Sequence, residues 1–263
     1  MEDRSLNILV LGDIVGRVGR RGVKEVIPKI LEQYSVDFII ANGENAAGGN
    51  GLTHEIAREL FESGINVLTL GNHTWDKKEI FSFINEDLRI IRPANYPPGT
   101  PGQGYGIFKV KGKNIAVVNL MGRVFMSELD CPFRKMDDLL GELQKVDYIL
   151  VDFHAEATSE KVALGWYLDG RVSLVFGTHT HIPTADERIL PNGTAYITDI
   201  GMSGPLNSVI GVKTNLVLQK FLTQMPQRFE SASGPYIVSG ILVKMGKEGR
   251  AENISRIQYV EKE

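Results

Sequence analysis

The stretch Val175-Phe176-Gly177-Thr178-His179-Thr180-His181 decides how the rest of the chain is read. It carries two of the five histidines, one residue apart, directly after the apolar run 172–176. In extended backbone, residues i and i+2 project to the same face, so both imidazoles are expected to aim into one space. That space would lie just past the carboxyl end of a buried strand, where ligands gather in open α/β sheets. Taken alone, an H-x-H reads equally well as two polar loop residues. The other strand ends must arbitrate.

Four more apolar runs end in the same manner. Run 6–11 stops at Gly12-Asp13, run 37–41 leads into Asn42-Gly43-Glu44-Asn45, run 66–70 into Gly71-Asn72-His73, and run 148–153 into His154. Amphipathic segments lie between the runs. Over 21–34, Val23, Val26, Ile27, Ile30 and Leu31 share one helical face, with Pro28 predicting a kink or local irregularity. Thr53 is placed to cap a helix over 54–63, and further helices are expected over 76–85, 133–143, 158–168 and 212–222. Strand, turn and helix in repetition predict parallel strands joined by crossover helices. The Pro/Gly-rich stretch 92–104 interrupts the pattern. Runs 105–110 and 114–120 flank Lys111-Gly112-Lys113, and 188–190 and 195–198 flank Pro191-Asn192-Gly193, two hairpin signals. Runs 236–243 and 254–260 read as closing antiparallel strands. Nothing separates two units, so a single domain over 1–263 with a mixed or two-sheet core is expected.

Composition excludes several classes. An apolar fraction of 43% with 23% charged residues fits a soluble globular chain. The net charge of −3 provides no basic footprint for duplex nucleic acid, although small nucleotides or short single strands remain candidates because a cation could supply positive charge. The lone Cys131 excludes an intramolecular disulfide and fits a reducing compartment. Met-Glu-Asp-Arg-Ser at the start does not read as a signal peptide, and no apolar run is long enough to span a membrane. A cytoplasmic location is therefore expected. The closing hairpins leave sheet edges through which copies of the chain could pair, without fixing a number.

If the five strand ends share one edge, they assemble Asp13, Glu44, Asn45, Asn72, His73, His154, His179 and His181. Mixed carboxylate, amide and imidazole donors suit zinc, manganese or iron better than an all-oxygen magnesium or calcium cage. A carboxylate between two ions can bridge them at about 3.5–4 Å. Each residue has a plainer reading: Asp13 and Asn72 as turn residues, Glu44 as a solvated loop residue, His73 or His154 as a satisfied polar strand end. A ligand-type residue at the same position of five strands favours a site. His54, in the first turn of a helix, lacks that placement and reads as surface.

These motifs resemble the calcineurin-like metallophosphoesterase pattern of D-x-H, G-D-x-x-D, G-N-H-[DE], a lone H and G-H-x-H. Val15 stands where the first motif has its His, and Gly43-Glu44-Asn45 replaces the usual G-D. With Asn-Gly-Glu-Asn-Ala-Ala-Gly-Gly, Gly-Asn-His-Thr-Trp-Asp and Gly-Thr-His-Thr-His-Ile-Pro-Thr-Ala-Asp, the chain resembles the YmdB-like branch from about residue 6 to 260. The resemblance implies a four-layer α-β-β-α sandwich of two mixed sheets flanked by helices, holding two metal ions, iron first, with manganese, magnesium or zinc as others. It implies that Asp13, Glu44, Asn45 and His181 hold the first metal, Asn45 compensating for the His missing at Val15. Glu44 would bridge to a second held by Asn72, His154 and His179, and His73 would donate a proton to the leaving oxygen. The activity implied is a phosphodiesterase acting on small phosphodiesters, notably 2′,3′-cyclic nucleotides, by in-line attack of a metal-bridging hydroxide. Arg17, Arg20 and Arg123 lie near strand ends but read as surface residues.

Other classes are weaker. An amidohydrolase also uses H-x-H, but on the first strand of a (β/α)₈ barrel, whereas here the pair comes late. Gly12, Gly16 and Gly19 do not make the G-x-G-x-x-G of a dinucleotide site. A regulatory protein that binds a nucleotide at the metals without turning it over is the non-enzymatic alternative.

Overall fold

The computed structural model describes residues 5–262. The charged start at 1–4, read above as no leader, lies outside the described residues. In chain order the strands are β1 (Leu6–Leu11), β2 (Asp13–Ile14), β3 (Phe38–Asn42), β4 (Val67–Thr69), β5 (Ile90–Ile91), β6 (Tyr105–Val110) and β7 (Lys113–Met121). They continue with β8 (Tyr148–His154), β9 (Leu174–Thr178), β10 (Arg188–Ile189), β11 (Ala195–Ile197), β12 (Met202–Pro205), β13 (Tyr236–Met245) and β14 (Ala251–Val260). The helices are α1 (Gly16–Gln33), α2 (His54–Glu62), α3 (Pro132–Glu142), α4 (Thr158–Leu168) and α5 (Thr214–Thr223).

Strands β1, β3, β4 and β5 pair in parallel, and β13 lies antiparallel to both β1 and β14. In the second sheet β7, β8, β9 and β11 are parallel, edged by the antiparallel β6 and β10. Both hairpins expected from the turn residues are present. Alternate side chains explain the layering. Ile8, Val10 and Ile40 of the first sheet meet Val117, Leu150 and Phe176 of the second in one buried cluster. The intervening Leu9, Leu11 and Ile39 face outward onto Val23, Val26 and Ile30 of α1 and Leu60 of α2. Val118, Val151 and Val175 face the other way, onto Met136 and Leu139 of α3 and Leu164 of α4. Both faces of the central parallel strands are covered, so β1, β3, β8 and β9 read as unbroken apolar runs, each fully buried aliphatic side chain contributing about 1.5–3 kcal/mol. This is the expected α-β-β-α sandwich of two mixed sheets, and it excludes the barrel.

Several elements differ from the sequence reading. The helix expected over 76–85 is only a single 3₁₀ turn, Lys78–Ser82. Its natural cap, Asp76, instead accepts from His73 Nδ1 and Asn50 Nδ2. Helix α1 begins at Gly16, earlier than expected, and runs unbroken through Pro28, whose exposed position lets water serve the carbonyl that lost its donor. Strands β2 and β12 were not anticipated. Met-Ser-Gly-Pro has no periodicity, yet Ser203 pairs with Val238 of β13 and Met202 with Asp13. Helix α5 buries only Val217 and leaves Phe221 and Leu222 exposed. Among the described residues, no helix is long and apolar enough to cross a membrane.

Candidate metal centre

The carboxyl ends of β1, β3, β4, β8 and β9 gather at one edge of the sandwich, and the structure brings all eight sequence-predicted residues there. Glu44, buried on the loop after β3, is the common member. Its Oε2 accepts the backbone N–H of His73 (2.8 Å), while Oε1 lies 3.0 Å from His154 Nε2 and 3.4 Å from Asn45 Nδ2. Around His154 Nε2 also stand Asn72 Oδ1 at 2.9 Å and His179 Nδ1 at 3.1 Å. On the other side of Glu44, Asn45 Nδ2 is 3.3 Å from His181 Nε2, itself 3.7 Å from Asp13 Oδ1. Asp13 accepts the His179 backbone N–H at Oδ2 (3.2 Å), but its Oδ1 is buried and accepts no hydrogen bond.

That crowding has a chemical meaning. An imidazole nitrogen offers one proton or one lone pair, so His154 Nε2 cannot satisfy a carboxylate, an amide oxygen and a second imidazole together. Ligands about 2.1 Å from a shared cation and at right angles to one another sit about 3.0 Å apart. The donor atoms of Glu44, His154 and His179 all lie within 4.8 Å of one another. The donor set and its spacing, with the orphaned Asp13 oxygen, fit a divalent cation. Asn45 fits after half a turn of its amide, which presents Oδ1 at the same point.

Each imidazole is held so that one nitrogen faces the centre. His154 Nδ1 donates to Thr178 Oγ1 (2.9 Å), which donates to Asp152 Oδ1 (2.7 Å), and Thr69 Oγ1 donates to the other oxygen of Asp152. His179 Nε2 is 3.1 Å from Glu156 Oε2, and His181 Nδ1 donates to the Ile210 carbonyl at 2.9 Å. Such partners fix the tautomer that leaves a lone pair for a metal. His73 Nδ1 is held by Asp76 at 2.8 Å, leaving Nε2 available at a half-exposed position.

Burial disfavours charge throughout the cluster and is partly offset within it. Burial alone would raise Glu44, but the charge and hydrogen bond of His154, with His73, hold its carboxyl down to about 2. Burial would lower His154, but Glu44, then Asp13 and Asp152, push it up to about 9. Burial pushes Asp13 above the usual carboxylate range and Asp152 up to about 7. Burial, followed by the charge of His154, brings His179 down to about 3. A bound dication reverses this logic, keeping carboxylates ionised and imidazoles neutral together.

The opening pair converges for a different reason than expected. Strand β9 ends at Thr178, and His179 and His181 both adopt left-handed backbone (φ 98° and 66°) rather than alternating in a strand. Close backbone approaches set the spacing. A Cβ on Gly71 would lie 2.3 Å from His154 Nε2, and one on Gly177 would lie 1.7 Å from the Thr198 carbonyl oxygen. Arg20 pairs with Glu59 and the Ala46 carbonyl, and its side chain is 17% exposed, less open than the surface position expected. His54 is exposed, as read. Sequence reasoning missed the supporting shell. Asp152 was visible as a carboxylate inside an apolar run, two residues before His154. Lys161 was visible on the same helical face as Leu164 and Leu168.

Comparison with known proteins agrees with the geometry. The family model described as YmdB-like protein matches residues 9–257. A Bacillus subtilis (strain 168) protein named 2′,3′-cyclic-nucleotide 2′-phosphodiesterase is 52% identical, over 96% of this chain and 96% of that protein. A Thermus thermophilus structure, described only as a hypothetical protein, superposes with a TM-score of 0.93 at 46% identity, covering 98% of this chain and 100% of that one. A Mycoplasma pneumoniae structure described as a novel phosphatase gives 0.94 at 33% identity, covering 98% and 94%. The chain belongs to the YmdB-like family, a branch of the calcineurin-like metallophosphoesterases.

Proposed function

We propose that the chain is a dinuclear-metal phosphodiesterase that hydrolyses 2′,3′-cyclic nucleotides. The observation that carries this reading is the pair of donor groups sharing Glu44, one of them holding a buried carboxylate oxygen without a partner. Asp13, Asn45, His181 and Glu44 would hold one ion, and Glu44, Asn72, His154 and His179 the other. Iron is the first expectation, with manganese, magnesium or zinc as others. When bound, the two cations polarise the phosphoryl oxygens and make a water acidic enough to attack near neutral pH.

The remaining work falls to the protein. Asp152, acting through Thr178, keeps the His154 ring in one orientation, and the Ile210 carbonyl does the same for His181. Asp76 accepts Nδ1–H of His73, and the ring in its doubly protonated form would give the proton on Nε2 to the departing ribose oxygen and return to neutral, while the His73 backbone N–H steadies Glu44. The similarity to the Bacillus subtilis relative supports the choice of a cyclic nucleotide.

The test is metal analysis of purified protein beside hydrolysis of 2′,3′-cyclic AMP and an aryl phosphodiester, for wild type and His73→Ala. About two metals per chain are expected, with activity lost on chelation and restored by a divalent cation. His73→Ala is expected to keep both metals and lose at least about a hundredfold in kcat. Metal-free protein at full rate would sink the reading. Tight nucleotide binding without turnover would replace the enzyme with a sensor.

A further inference from the structure

Lys161 lies in α4 and is 1% exposed, an unusual place for an ammonium group. Its Nζ donates to the Thr178 carbonyl at 2.7 Å and to Asp199 Oδ2 at 2.6 Å. Asp199, on the passage from β11 in one sheet to β12 in the other, is equally buried. The same Oδ2 accepts the backbone N–H of Thr180 (3.2 Å) and its hydroxyl (2.8 Å). Oδ1 accepts the Gly201 N–H at 2.8 Å, and the Gly201 carbonyl in turn accepts the backbone N–H of Asp13 at 3.2 Å. One ion pair therefore grips Thr178 and Thr180, which bracket His179, and reaches Asp13 through a single glycine.

Stability alone does not explain such a pair, because apolar residues of similar volume often serve a core as well or better. What the pair secures is a conformation. His179 and His181 are both left-handed, a state that residues with a Cβ adopt only when their surroundings over-determine it. The contacts that do so converge on the residue between them, Thr180, and on the strand end before them, Thr178. The two histidines belong to different donor groups, so the turn between them sets how both groups are spaced.

We propose that Lys161 and Asp199 are positioning residues of the metal centre, fixing the His179–His181 turn and Asp13 in the arrangement that binds two cations. This rests on the dinuclear reading above. The test strips the purified chain with chelator, then titrates it with manganese(II) followed by electron paramagnetic resonance. The d–d absorption of the cobalt(II)-loaded protein reports ligand geometry in parallel.

Lys161→Met is expected to weaken manganese binding by about 10–100-fold and to shift the cobalt spectrum, with the far-UV circular dichroism of the metal-free chain unchanged. Thr180→Val, which removes one donor to Asp199 and no metal ligand, should move both readings the same way by less. The double variant Lys161→Met/Asp199→Leu separates structure from positioning. Metal-free, it should keep the far-UV circular dichroism of wild type while melting lower, because the Thr180 and Gly201 N–H groups lose their acceptor, and it should keep the weakened manganese affinity. A double variant with wild-type affinity and an unshifted cobalt spectrum overturns the proposal. Should Lys161→Met fail to fold, Thr180→Val decides on the same criteria. Wild type that binds no manganese overturns both this inference and the dinuclear reading. Wild type that binds two ions without hydrolysing cyclic nucleotides overturns only the phosphodiesterase reading, and the variant series then still supports the positioning role.

Discussion

The donor group around His154 and the one around Asp13 share Glu44 but are assembled differently. In the first, Glu44, Asn72 and His179 already stand 2.9–3.1 Å from one nitrogen, and both imidazoles are braced from behind. In the second, the nearest approaches are 3.3–3.7 Å, one carboxylate oxygen has no partner, and Val15 occupies the place where related motifs carry a histidine. Preorganised groups lose less freedom on binding. On the dinuclear reading proposed above, the His154 group is expected to be the tighter site, and the Asp13 group the one that fills last and empties first.

The largest break in this comparison comes from the shared residue. Glu44→Gln removes the one carboxylate common to both groups. It is expected to empty both sites in metal analysis and to lower kcat by at least about a thousandfold, or about 4 kcal/mol of barrier. His181→Ala should split the groups instead. One ion per chain is retained, activity falls by about a hundredfold, or about 2.7 kcal/mol, and the remaining ion resists chelator as well as the tighter ion of wild type does. Two ions lost together would show the groups to be one cooperative unit.

The smallest effect is a pH dependence. His154 is raised from 6.5 to about 9 in the metal-free fold, so its charge stabilises that fold fully below pH 6.5, and the contribution is lost as pH rises through about 9. A cation needs the neutral imidazole and binds more strongly over the same window. The rise in Tm on adding metal should therefore grow between pH 6.5 and 9, measured by paired thermal melts. A constant rise would show that the metal-free fold does not hold His154 above its ordinary pKa.

The residues of both groups were legible in the sequence, but the backbone that delivers one histidine to each group was not. Asp13, Glu44, Asn72 and His154 follow runs whose apolar patterns mark strands, and each run stops shortly before its candidate ligand. The sandwich was legible for the same reason, since buried strands and amphipathic helices carry local periods. The His179–His181 turn was not. Its left-handed backbone depends on Lys161, from the preceding helix, and on Asp199, from the next strand's end, contacts with no local signature. Strand β12 was hidden likewise, because its pairing is made with residues far away in the chain.

The close approach at Gly71 gives the centre a mechanical tolerance. The gap between that backbone and His154 is smaller than a methyl group, so alanine there is a wedge driven against the His154 ring. Gly177 stands in the same relation to the carbonyl of Thr198. Neither glycine donates an electron pair or a proton, yet a Cβ at either would collide with its neighbour. In a map of every single substitution, the footprint of the centre would extend beyond its chemistry to two positions whose whole contribution is empty space.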